Sequence, residues 1–160
     1  MVFDEDIIDK KVIIINETNK TNISIEIEPI KNVTGIKLIE SYATISTSDP
    51  DKIETVYICI NDYILKTITK TIDNKTYTND VFSSMIFYPD KKYNEQIGTG
   101  IISTFNIDTQ NYVFNPVKGE LRKLDISFKS LNGTNLIEKE LVSVYLELCI
   151  YSKRMKQTMF

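Results

Sequence analysis

Asn22-Ile23-Ser24-Ile25-Glu26-Ile27-Glu28 alternates polar and apolar residues without interruption. Ile23, Ile25 and Ile27 face one way, and Ser24, Glu26 and Glu28 the other. This period of two marks a strand with one dry and one wet face. Pro29 has no N–H to give a ladder, so the pairing is expected to end there.

Similar segments extend in both directions. Val33 to Ser46 carries apolar residues on both faces, the pattern of a central or bulged strand. Asp49-Pro50 marks a turn. In Glu54 to Ile60, Val56, Ile58 and Ile60 share one face while Thr55, Tyr57 and Cys59 share the other. Asn61-Asp62 reads as the next turn. Ile64 to Ile72 carries Ile at helical spacing, but Thr67, Thr69 and Thr71 favour a strand. Val81 to Tyr88 and Ile97 to Phe105 suggest further strands around the polar loop 89–96. Gly98 and Gly100 suit a bulge or tight bend between them. Leu124, Ile126 and Phe128 alternate with Asp125, Ser127 and Lys129. Asn132-Gly133 supplies a hairpin turn, and Val142, Val144, Leu146, Leu148 and Ile150 line one face of the returning strand.

The composition agrees. The 160 residues include 26 Ile, 9 Val and 16 Thr against one alanine, Ala43. β-Branched side chains lose rotamer freedom in helices and pack well on pleated sheets. The length suits one domain, 1–160, with 1–10 and 153–160 as candidate arms. The expected fold is all-β, a two-sheet antiparallel sandwich wound as a single jelly roll of about eight strands.

The same composition narrows the chemistry. With no histidine, neither a Ser-His-Asp nor a Cys-His nucleophile can be assembled within the chain. Cys59 and Cys149 cannot make a four-thiolate zinc site, and they are expected to be reduced and structural. The net charge of −3, with only Arg122 and Arg154 as arginines, gives a poor inventory for reading nucleic acid. Apolar runs such as Val12 to Ile15 are far too short to span a bilayer. Acidic residues at the start, and no charged-then-apolar leader, argue against secretion, so the six Asn-x-Ser/Thr sequons are read as products of abundant Asn and Thr.

Each candidate site also has a plainer structural explanation. Asp4, Glu5, Asp6 and Asp9 lack the spacing of a calcium loop and suit a solvated terminus. Asn61-Asp62-Tyr63 and Asn79-Asp80 place carboxylates near strand ends, where Asx side chains ordinarily bond to backbone. Gly98-Thr99-Gly100 lacks the Gly-Lys-Ser/Thr ending of a phosphate loop. No catalytic residue, metal set or cofactor is expected. The tail is basic and then apolar: Lys153, Arg154, Met155, Lys156, Gln157, Thr158, Met159, Phe160. It reads either as a frayed end or as a subunit-docking arm anchored by Met159 and Phe160. The nine tyrosines suit the margins of a core or a protein interface.

Three stretches carry a family resemblance: Asn32 to Ser46 (NVTGIKLIESYATIS), Val56 to Tyr63 (VYICINDY), and Asn115 to Phe128 (NPVKGELRKLDISF) continued through Ser130 to Leu136 and Val144 to Tyr151. In this order they resemble the single jelly-roll minor capsid and penton proteins of the nucleocytoplasmic large DNA viruses, the giant viruses. The resemblance implies a capsid structural protein of the virion shell that acts by assembly. Its partners would be further copies, up to a pentamer, and major or minor capsid proteins, with assembly in the host cytoplasm. The competing expectation is a β-sandwich module that binds carbohydrate or peptide.

Overall fold

Alternation of Ile with polar residues over 22–28 does produce a strand, and that strand is far longer than its sequence signal. The computed structural model describes residues 7–46, 54–87, 101–107, 111–130 and 141–154, with side chains except at Glu54 and 101–107. These residues form Ile7–Thr18 (β1), Asn22–Ser46 (β2), Glu54–Ile60 (β3), Lys66–Ile72 (β4), Lys75–Val81 (β5), Ser83–Phe87 (β6), Ile101–Ile107 (β7), Asn111–Lys129 (β8) and Leu141–Arg154 (β9). No helix occurs among them, and every ladder is antiparallel.

The hydrogen-bonded order is β1-β9-β2-β8-β3-β6, with β7 also on β2 and β4-β5 as a separate two-stranded sheet. The 25-residue β2 organises this arrangement. Its first part pairs with β8 on one side, from Asn22 to Lys37. Its later part pairs with β9 from Val33 to Ile45 and with β7 from Glu40 to Ser46. Dividing β2 near Asn32 gives two groups of four strands: β1, β9, the C-terminal part of β2 and β7; and the N-terminal part of β2, β8, β3 and β6. This is the eight-strand, two-layer arrangement of a jelly roll, with the β4–β5 hairpin added between β3 and β6. One apolar cluster draws on both groups, including Ile15, Leu38, Leu146 and Leu148 from the first and Ile23, Ile58, Leu124 and Phe87 from the second.

Pro29 does not terminate the strand as its missing N–H suggests. The ladder to β8 skips from Glu26 to Ile30, so Pro29 falls in an irregularity where no donor is required. Asn32 follows with φ of 55°, a left-handed conformation that Asn tolerates better than most residues. Irregularities between Val33 and Gly35 and between Leu38 and Glu40 each reset the alternation. Ile36 and Leu38 are therefore buried before the second, and Ser41, Ala43 and Ile45 after it. Apolar residues on both faces of this stretch in the sequence are the record of those bulges.

Gly35 lies where β2 meets β8 and β9 together. A Cβ there would stand 2.9 Å from the Tyr112 carbonyl oxygen, so the close approach of backbones requires glycine. Positive φ angles elsewhere fall at Asn19, Asn61, Asp73 and Asn74. Asparagine thus supplies four of the five left-handed non-glycine positions among the described residues.

Several expected boundaries move. β1 was not anticipated as a strand, because Asp9, Lys10 and Lys11 interrupt its apolar pattern. β5 lies where only a connection was expected, so Asn79 and Asp80 belong to a strand rather than a turn. The helical alternative over Ile64 to Ile72 fails; residues from Lys66 onward form β4. Asp49-Pro50, loop 89–96, Gly98-Thr99-Gly100 and Asn132-Gly133 lie outside the described residues.

Candidate functional site

Asn61-Asp62-Tyr63 and Asn79-Asp80, the carboxylate-bearing candidates near strand ends, are used internally, as is an aromatic cluster beside the first. Asn61 adopts a φ of 46° and lies against β8 like one more rung of its ladder. Its backbone N–H donates to the Asp125 carbonyl at 2.8 Å, and the Asp125 N–H donates to Asn61 Oδ1 at 2.7 Å. Asn61 Nδ2 donates to the Lys123 carbonyl at 3.2 Å. Ser24 Oγ donates to Asp125 Oδ1 at 2.6 Å, beside Lys123 Nζ at 3.6 Å. Ser24, Asn61 and Asp125 line a shallow depression with Asn22, Ile23, Ile126 and Ser127. Their hydrogen bonds are directed at one another, and Asp62 next to them is exposed.

Asp80 accepts a hydrogen bond from Thr67 Oγ1 at 2.7 Å across the β4–β5 hairpin. Thr69 with Thr78 and Thr71 with Thr76 continue that row of exposed hydroxyl pairs. Asp62 and Asp80 therefore do not converge as a catalytic pair. The aromatic grouping is similar: Tyr63, Tyr112 and Phe114 pack on one another with ring centroids 4.9 to 5.0 Å apart. They fasten the turn after β3 to β8, leaving little face for a ligand.

The outward surface of the β1–β9–β2 layer is different. The cross-strand registers put Val12 beside Cys149 and Lys37, Ile14 beside Glu147 and Glu40, and Asn16 beside Tyr145 and Tyr42. Ile8 is 57% exposed, Val12 50%, Ile14 59% and Tyr42 42%. Lys10 Nζ lies 5.8 Å from the centre of the Tyr151 ring. Burial, then the adjacent Cys149 thiol, push the Tyr151 hydroxyl above its ordinary pKa. Glu40 and Glu147 are neighbours of like charge, a pairing that costs stability in a sheet. This apolar and tyrosine-bearing face, with the acidic pair Glu40 and Glu147 inside it, has the character of a contact surface.

Residues from both ends of the chain border this layer. Arg154 makes a two-pronged contact with Asp9, Nε to Oδ2 at 3.2 Å and Nη2 to Oδ1 at 3.1 Å. Lys153 and Arg154 are thus the last residues of β9, opposite Ile8 and Ile7. Met155, Met159 and Phe160 of the expected docking tail lie outside the described residues, as do Asp4, Glu5 and Asp6. No group of His, Cys, Asp and Glu among the described residues is arranged to hold a metal. The described residues contain no helix long and apolar enough to cross a membrane.

Sequence reasoning missed this face because its apolar residues belong to β1, whose charges disguised it. The signal was the run Val12 to Ile15, which places Val12 and Ile14 outward once Ile13 and Ile15 turn inward.

No family model and no curated protein matches the chain. Among solved structures, a chain of Desmodium yellow mottle tymovirus is similar at a TM-score of 0.30 and 8% identity, over 99% of this chain and 95% of that one.

Proposed function

We propose that the chain is a structural component of a virus shell, a single jelly roll that works by assembling with copies of itself and with other capsid proteins. Within that class it is read as a penton or minor capsid protein rather than a catalyst, and its location as the virion. The observation that carries this reading is the exposed apolar face of the β1–β9–β2 layer. Leaving Ile8, Val12, Ile14 and Tyr42 in water is a cost that a permanent protein contact removes. The resemblance to capsid jelly rolls over 32–46, 56–63, 115–128, 130–136 and 144–151 supports the choice of a shell, and the two-layer winding is compatible with it.

Sedimentation and negative-stain imaging of the purified chain, alone and mixed with capsid proteins, test the proposal. Rings or co-assembled particles are expected. A chain that stays monomeric and is absent from purified particles overturns it. A saturable glycan or peptide signal in such a monomer would point to a binding module instead.

A further inference from the structure

The two layers end side by side in β1 and in the N-terminal part of β2, and these two strands treat their outer edges differently. Among the described residues, β1 has a ladder partner only in β9, and β2 from Asn22 to Lys31 only in β8. The β2 edge is guarded. Pro29 lacks a donor, the ladder is broken between Glu26 and Ile30, and Glu26, Glu28 and Pro29 are exposed. Proline, bulges and charges are the ordinary defences of an edge strand.

The β1 edge has no proline and no bulge, and pairs with β9 in unbroken register from Ile7 to Thr18. Its two lysines lean on groups of their own molecule, Lys10 over Tyr151 and Lys11 toward Glu28 at 3.7 Å, and both remain exposed. Its unpaired backbone groups and outward Ile8, Val12 and Ile14 form a long, regular, apolar edge of the kind that recruits another strand.

We infer that this edge is completed by a second copy of the chain, β1 pairing antiparallel with β1 across a two-fold axis. The inference rests on the assembly reading above and names the surface that serves it. A two-fold pairing places residues of equal parity opposite one another, so only a few registers are available. The pattern of charge selects among them. Centring the axis on Lys10 or Lys11 sets that lysine against its own copy. Centring it on Ile13 sets Asp9 against Glu17. Centring it on Ile14 sets Lys11 against Glu17 twice, Ile13 against Ile15 twice and Ile14 against itself, with no like charges opposed. Among the described residues of β1, it is the one register that pairs opposite charges without opposing like ones. Glu17 at present meets only Lys20 of its own chain, at 3.2 Å.

Charge reversal tests the pairing. Lys11→Glu and Glu17→Lys each turn two attractive cross-strand pairs into repulsive ones. Each is expected to raise the dimer dissociation constant about tenfold in sedimentation equilibrium. The combined variant restores the cross-strand pairs, and with Glu28→Lys and Lys20→Glu added so that the pairs within each chain are kept too, it is expected to return within about threefold of wild type. A covalent test fixes the register. With Cys59→Ser and Cys149→Ala as background, Ile14→Cys meets its own copy across the axis at disulfide distance. Ile8→Cys lies roughly 40 Å from its copy at 3.3 Å per residue. Oxidation is expected to cross-link the first and not the second, and denaturant unfolding checks that each variant folds.

Failure of the swap to rescue, or equal cross-linking at both positions, overturns the β1 pairing. An oligomer that none of these variants disturbs also overturns it while leaving the shell reading intact. A chain monomeric in every sample overturns it too, and the shell reading is then decided by co-assembly into particles.

Discussion

Tyr57 shows how closely this fold fits around single side chains. It alternates with Val56 and Ile58, which line the apolar cluster, and so points to the opposite face of β3, yet it is fully buried. Its hydroxyl finds no hydrogen-bond partner among the described residues, and burial raises its pKa above the usual value. A buried hydroxyl without a partner carries an uncompensated desolvation cost. Tyr57→Phe keeps the ring and removes that oxygen. Denaturant unfolding at pH 7 is expected to show the variant as stable as wild type or up to about 2 kcal/mol more stable. The pH dependence follows from the raised pKa. Below about pH 10 the tyrosine is neutral in both states, and its full contribution is present. Above that value the unfolded chain ionises first, so stability falls as pH rises toward the folded-state pKa. Tyr57→Phe should flatten the part of the alkaline loss that this residue causes. A Phe variant destabilised by more than about 1 kcal/mol would mean that the hydroxyl has a partner after all.

At the scale of elements, the strands most legible in the sequence are those with one dry face and no irregularity. Over Asn22 to Glu28 and Leu124 to Lys129 the apolar set read from the sequence is the inward one, and over Glu54 to Ile60 the two faces were separated correctly although Tyr57 is buried on the second, because a period of two survives wherever the pleat is unbroken. The failures have physical causes. Bulges in β2 change which parity is buried, so one continuous strand was divided at Pro29. β1 is an edge strand, and its Asp9 and Lys11 occupy positions on the core-facing side that only an open margin tolerates. The β4–β5 hairpin contacts the rest of the fold at its base and carries threonine pairs along its length, which left no apolar signal for β5. The exposed apolar face was illegible for the same reason as β1, since membership of a face depends on register with β9. The hairpin's separateness is itself testable. The Leu65 N–H donates to the Val81 carbonyl at 3.0 Å, so the two ends of the insertion are already adjacent. Replacing residues 69–78 with an Asn-Gly turn keeps Ile68 opposite Asn79 and is expected to change unfolding free energy by less than about 1 kcal/mol, since mostly exposed side chains are removed. Asn61→Ala is the contrasting case. It strips two side-chain bonds from the β8 backbone and a residue tolerant of positive φ, and is expected to cost about 1 to 3 kcal/mol by the same measurement.

For the whole molecule, the decisive feature is that the first and last described strands are neighbours. β1 lies on β9 and β9 on β2, so one layer is assembled from residues remote in sequence and cannot form piecemeal. Leu148 occupies the middle of that layer. Its register partners are Ile13 on β1 and Leu38 on β2, and the three make a row across the core-facing side. Leu38 and Leu148 are essentially without exposure, and Ile13 is half-buried at the margin. A cavity at Leu148 would remove contacts to strands on both sides at once. Leu148→Ala is therefore expected to cost about 3 to 4 kcal/mol, a large share of the about 5 to 15 kcal/mol that holds a domain folded. Ile68→Ala removes a half-buried side chain from the outlying hairpin and is expected to cost less than about 1 kcal/mol. If the jelly roll is one cooperative unit, both variants unfold in a single transition with the wild-type dependence on denaturant, and only the midpoint of Leu148→Ala moves far. Two transitions for Leu148→Ala would show that the β1–β9–β2 layer melts apart from the β8–β3–β6 layer. The shared strand β2 makes that outcome physically difficult, because a continuous backbone passing through both layers carries the loss of one into the other.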